Sequence, residues 1–168
     1  MSAGHQAAFD GITTLVASTA SLLDDNSGIA SFVRAPSRLD LIDQSDASIH
    51  RQFHVIYDGS QQFGGTGGSF SGSVLDDFAL FTIQIGYYEG GGDISSVFGE
   101  RHSIDRVAMD DLDRVRQHIM HPNNFNGLST GICNVEWTGT SRLAEGAGTA
   151  RRIYQMTIRV WIRHSTLS

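Results

Sequence analysis

The chain has 168 residues, 40 % of them hydrophobic, and a net charge of −6 at neutral pH. That length predicts one domain, 1–168, large enough to bury roughly two-thirds of its unfolded surface. The acidic balance argues against broad DNA binding, which needs a basic face, and leaves only a local basic patch open. The one cysteine, Cys133, excludes an intrachain disulfide.

The first segment, Ala7 to Leu23, carries Phe9, Ile12, Leu15, Val16, Leu22 and Leu23 at helical spacing. It predicts an amphipathic helix stopped by the turn-forming run Asp24 to Gly28. It has no basic n-region and Asp10 interrupts it, so it reads as neither a signal peptide nor a membrane span. Ile29 to Ser48, with Pro36 and several Asp and Ser, reads as a connecting loop.

Arg51 to Asp58 alternates, with Phe53, Val55 and Tyr57 on one face, and predicts a strand. Residues 59–77 then read as a long flexible hairpin arm, with six glycines between Gly59 and Gly72 and with Phe63 and Phe70 as apolar anchors. Loops of this length are usually functional or disordered. Phe78 to Tyr88 is nearly continuous apolar, as expected of a central strand.

Glu89 to Gly92 ends that strand. Ser103 to Met120 puts Ile104, Val107, Ala108, Leu112, Val115 and Ile119 on one helical face. Ser103 suits the N-cap, Asp105 the positive helix start, and Arg114, Arg116 and His118 the negative end. Pro122 is read as the stop, with a loop from Asn123 to Gly131. Ile132 to Thr138 predicts a strand in which Cys133 is a small buried hydrophobe. After the loop Gly139 to Thr149, a last long strand ends the chain.

The order is therefore α-β-β-α-β-β: an α+β fold in two layers, with a mainly antiparallel sheet and both helices on one face. The second sheet face stays open unless a neighbouring chain covers it.

Candidate chemistry is sparse. Asp110, Asp111 and Asp113 lie within ion-pair spacing of Arg106, Arg114 and Arg116 and read as a solvated, salt-bridged helix face. His118 and His121 form an H-x-x-H, yet no Glu stands between them as in a metalloprotease. The glycine-rich run 64–72 lacks the Lys-Ser/Thr of a phosphate-binding loop and precedes a strand. No serine sits in G-x-S-x-G. The reading is a non-enzyme with no catalytic residue, cofactor or metal.

One feature stands out in the last strand. Tyr154, Met156, Ile158, Val160 and Ile162 make one dry face, while Arg159, Trp161 and Arg163 line up on the other. Trp and Arg are the types most enriched at binding hot spots. Either the arginine stems shield Trp161 on a solvated face, or this face meets another subunit. Arg159, Trp161, Arg163, Phe63 and Phe70 are the candidate interface residues.

The order of elements resembles the tail terminator (tail completion) proteins of long-tailed bacteriophages. The resemblance rests on the N-terminal amphipathic helix, the R-x-F-x-V strand at Arg51 to Val55, and the variable loop before an apolar strand. It also rests on the R-x-x-I-D-R…D-L-D-R-V helix at Arg101 to Val115 and the long final strand Ile153 to Arg163. It implies a structural virion protein, assembled in the host cytoplasm, that forms a homo-oligomeric ring, typically of six. The ring caps the tail tube, ends tube growth and joins the head's connector. The implied partners are the protein itself, the tail tube protein and a head-completion protein. DNA passes through the lumen without specific binding, and no membrane is involved. An acidic lumen would let phosphate slide. Other virion parts, such as a tail tube subunit or a head-closure protein, stay open as alternatives, as does a small-ligand-binding α+β domain.

Overall fold

The computed structural model describes residues 3–22, 29–41, 49–62, 74–88, 104–125, 132–143 and 151–165. Helix α1 spans Ala3–Ser18 and buries Ala8, Ile12, Leu15 and Val16. It ends where the Ser18 and Thr19 hydroxyls both turn back onto the Leu15 carbonyl, at 3.1 and 2.9 Å. Such local side-chain bonds compete with continuation of the helix.

Five strands follow: β1 (Val33–Arg34), β2 (Gln52–Gln62), β3 (Val74–Tyr88), β4 (Ile132–Arg142) and β5 (Arg151–Ser165). They form one sheet in the order β1-β2-β3-β5-β4. Only the β1–β2 pair is parallel. The fold is thus α+β with a mostly antiparallel sheet, as the patterning predicts. The central pair β3–β5 matches residue for residue from Val74 opposite Ser165 to Tyr88 opposite Arg151. At about 3.3 Å per residue this ladder runs roughly 50 Å, long beside the usual five or six residues.

Helix α2 spans Ile104–Met120. Together α1 and α2 cover the sheet face built from Phe53, Val55, Phe81, Ile83, Ile85 and the dry side of β5. The five β5 residues Tyr154, Met156, Ile158, Val160 and Ile162 are all buried there. At roughly 1.5–3 kcal/mol for each fully buried large apolar side chain, this face is the main source of stability.

Helix α1 stops at Ser18 rather than Leu23, and β4 runs on to Arg142, into the expected loop from Gly139, because Gly139 to Arg142 pair with Thr157 to Tyr154. The structure corrects the sequence reading in four further places. First, the segment after α1 is not merely a connection. Val33 and Ala35 donate to the Arg51 and Phe53 carbonyls at 3.0 and 2.7 Å, which adds β1, and a 3-10 turn follows at Leu39–Leu41. Second, this segment covers half of the sheet's outer face. Ala35, Leu39, Ile49 and Ile153 form a second small core there. The Leu39 N–H donates to Gln84 Oε1 at 3.0 Å, and Gly86 leaves room for Ile49, whose Cγ1 would lie 2.5 Å from a Cβ at that position.

Third, both ends of the expected loop 59–77 are ladder. Gly59 to Gln62 pair with Leu80 to Asp77, past a bulge at Asp58 where Gly59 takes φ of 115°. Positive φ of this kind suits glycine, which has no Cβ to clash. Phe63 and Phe70 lie outside the described residues. Fourth, α2 stops at Met120, just before Pro122 as expected, but the expected loop from Asn123 begins instead with a third helix, α3 (Pro122–Phe125), which Pro122 opens. A first-turn proline lacks only an N–H that would have no helical partner anyway.

Candidate interaction surface

The half of the outer face that no other described residue covers centres on β3 and β5. Phe78 stands opposite Trp161, and Leu80 opposite Arg159, with Glu136 of β4 beyond Arg159. Period-2 alternation sends all of these side chains away from the helices. Phe78, Leu80, Arg159 and Trp161 are each half-buried.

The geometry is compact. The Phe78 and Trp161 rings lie 5.3 Å apart with planes tilted by 54°. The Arg159 guanidinium carbon sits 4.6 Å over the Phe78 ring, a cation–π arrangement. Arg159 Nη1 also donates to Glu136 Oε2 at 3.4 Å. Its Nε is buried with no hydrogen-bond partner among the described residues. The arginine is therefore held in place within the chain yet keeps a donor unspent.

Of the predicted interface residues, the structure brings Arg159 and Trp161 together. Arg163 lies on the same strand, opposite Asp76, and its side chain is outside the described set. Phe78 and Glu136 complete the cluster and were missed in the sequence. Phe78 starts the run FALFTIQIGYY, whose near-continuous apolarity hides which face each residue takes. Glu136 is visible only through the β4–β5 register.

The acidic helix cluster separates by face. Asp110 pairs with Arg114 at 3.5 Å and Asp113 with Arg116 at 3.1 Å, as expected of a solvated face. Asp111 does not belong with them, because it points into the core and is completely inaccessible. Arg51, itself 1 % exposed, donates from Nε to Asp111 Oδ2 at 2.9 Å and from Nη2 to Ser21 Oγ at 2.7 Å. Its Nη1 also donates to the Ile29 carbonyl. Tyr87 Oη donates to Asp111 Oδ2 at 3.2 Å. Burial first, and then the Asp111 charge, pushes the Tyr87 hydroxyl well above the usual tyrosine range. Arg51 holds a left-handed backbone, φ 54°, and its own N–H donates to the Gly86 carbonyl at 2.8 Å. This network ties α2, β3 and the segment after α1 together; it is a structural lock with no exposed reactive atom.

The H-x-x-H pair comes together at the surface, where the C-terminal ends of α1 and α2 meet α3. Among the described residues no group of three His, Cys, Asp or Glu side chains is placed to hold a metal. No described helix is long and apolar enough to cross a membrane. Against known proteins, no family model and no curated protein matches this chain.

Proposed function

We propose that this chain is a structural virion subunit of the tail-terminator kind. It closes into a ring on a phage tail tube, ends tube growth and forms part of the head–tail joint. The observation that supports this reading best is the half-face of Phe78, Arg159 and Trp161, which the other described residues leave uncovered. It joins the two residue types richest in binding energy at interfaces to an apolar ring, on a rigid double strand rather than a loop.

A ring uses a heterologous interface, in which one surface of a protomer meets a different surface of the next. The Arg159 cluster is one such surface. Its counterpart must be acidic and accessible, which the exposed Asp113 and, in part, the half-buried Asp110 of the next protomer satisfy and the buried Asp111 does not. The ring number of six, the tube and head-completion partners, the virion location and the passive passage of DNA follow from the family resemblance. The net charge of −6 suits a lumen that repels phosphate.

The test is assembly of the purified protein and of Arg159→Glu and Trp161→Ala variants, followed by sedimentation. The reading expects a closed oligomer that both variants weaken while the fold persists. Variants that assemble as the parent does would remove the surface from the account.

A further inference from the structure

The corner between α1, α2 and α3 holds an open pocket of about 470 Å³, lined by Arg114, Gln117, His118, His121 and Asn124 with the Ser18–Ala20 turn beneath. In a chain of net charge −6, one arginine and two histidines converge here, and among the described residues no carboxylate lines the pocket.

The hydrogen bonds fix the roles of both rings. Thr19 Oγ1 spends its only proton on the Leu15 carbonyl, so its 2.9 Å contact with His118 Nδ1 makes that nitrogen the donor. The His121 Nδ1 accepts from the Asn123 N–H at 3.3 Å, which places the ring proton of a neutral His121 on Nε2. A metal held by both Nε2 atoms would need a lone pair on each, and His121 presents an N–H instead. The spacing that suggests a metal pair is therefore turned to hydrogen-bond donation.

Five backbone carbonyls at this corner are already used. The Leu15 carbonyl takes the Ser18 and Thr19 hydroxyls, and the Val16 carbonyl takes the Thr19 N–H at 3.1 Å. The His118 carbonyl takes Asn124 Nδ2 at 2.6 Å, and the His121 carbonyl takes the Asn124 N–H at 3.0 Å. The Ala20 carbonyl takes Arg114 Nη1 at 3.4 Å. The side-chain donors open to a ligand are the rest of the Arg114 fork, whose ion pair to Asp110 is a long 3.5 Å, His121 Nε2–H and the Gln117 amide N–H groups; His118 Nε2, Gln117 Oε1 and Asn124 Oδ1 are acceptors beside them. Donors grouped around a planar guanidinium are the pattern that receives oxyanions, and the acceptors beside them suit a ligand that also carries hydroxyls.

We infer that this pocket is a binding site for a phosphate group, held by Arg114 and His121, with His118 Nε2 free to accept from a phosphate hydroxyl. The volume falls in the range of small-ligand pockets and leaves room beside the phosphate for the rest of a small monoester. The pocket shares no residue with the Arg159 cluster, and it adjoins the counterpart acidic surface only through the Arg114–Asp110 pair.

The test is calorimetric titration of the full chain with inorganic phosphate and, separately, with a nucleoside monophosphate, alongside Arg114→Gln and His121→Phe. Both substitutions lie on the surface, and unchanged thermal melts would show the fold intact. Saturable binding at one site per chain, weakened about tenfold or more in each variant, is the expected result, since a hydrogen bond to a charged group contributes on that scale. Tighter binding of the monophosphate assigns the site to a monoester, and tighter binding of the ion assigns it to free phosphate. Absence of saturable heat with either probe up to about 10 mM, which excludes even millimolar affinity, would overturn the inference. So would binding that both variants leave untouched.

Discussion

Arg51 and Asp111 meet at 2.9 Å in the interior, sixty positions apart in the chain, with 1 % and 0 % of their side chains accessible. A buried pair of this kind is weak evidence of net stabilisation, because both charges have lost their water. Its removal one partner at a time is another matter. Asp111→Ala leaves the Arg51 charge buried beside Tyr87 and Ser21, and a loss of about 3–5 kcal/mol is expected. Replacing both by apolar residues of similar volume, Arg51→Met with Asp111→Leu, should cost clearly less than the sum of the single changes. Urea melts of the three variants check this; additive losses would contradict it.

Gly86 gives a second prediction, on packing. A methyl group there would sit 2.5 Å from Ile49 Cγ1 and 2.9 Å from the Ile49 carbonyl oxygen, and the latter is backbone that cannot swing aside. Gly86→Ala should therefore destabilise by about 1–3 kcal/mol, the usual cost of overpacking. Gly139→Ala meets nothing within 4 Å and should fall within about 0.5 kcal/mol of the parent. Equal melting temperatures for the two would show that the segment carrying Ile49 does not pack on β3 as described.

Tyr154 predicts alkaline behaviour. Burial, and then the 2.5 Å hydrogen bond it donates to Asp105, pushes its hydroxyl up to about 12 from the usual 10. A group that holds its proton more tightly when folded adds stability in full below the unfolded value. That contribution is lost as the pH rises from 10 towards 12. Tyr87 acts in the same direction. Denaturant melts should show a steady loss of stability across that window, and tyrosine absorbance should show two of the four tyrosines ionising late. Tyr154→Phe should flatten part of the slope, and an unchanged slope would count against the Asp105 bond.

The Phe78–Trp161 contact gives a prediction about assembly rather than folding. Both rings are half-exposed on the outer face, so Trp161→Ala should leave the melting transition nearly where it is. It should weaken self-association by about 2 kcal/mol or more per interface if Trp161 is a hot spot. Sedimentation across a concentration series measures this. A variant that unfolds instead would assign Trp161 to the fold.

Much of this architecture could be read from periodicity. The 3.6-residue repeat from Ile104 to Ile119 gave α2 to within a residue, and the strict alternation from Tyr154 to Ile162 gave β5 and its buried side. What stayed hidden depends on contacts distant in sequence. Strand β1 is two residues long and has no period to show; it exists because Arg51 and Phe53 offer it carbonyls. Asp111 sits among the apolar positions of α2, a place where a carboxylate needs a buried cation, but nothing local says that Arg51 supplies it. In the candidate surface, Arg159 and Trp161 could be read from β5 alone, whereas Phe78 and Glu136 needed the register of two neighbouring strands.

The most direct test of the central claim is the native mass of the purified chain, by light scattering, over a wide concentration range. The account predicts a closed oligomer near six subunits that does not grow further at higher concentration, because a heterologous interface that closes leaves no free end. A monomer at every concentration would contradict it, and the outer face around Arg159 and Trp161 would then be a solvated surface.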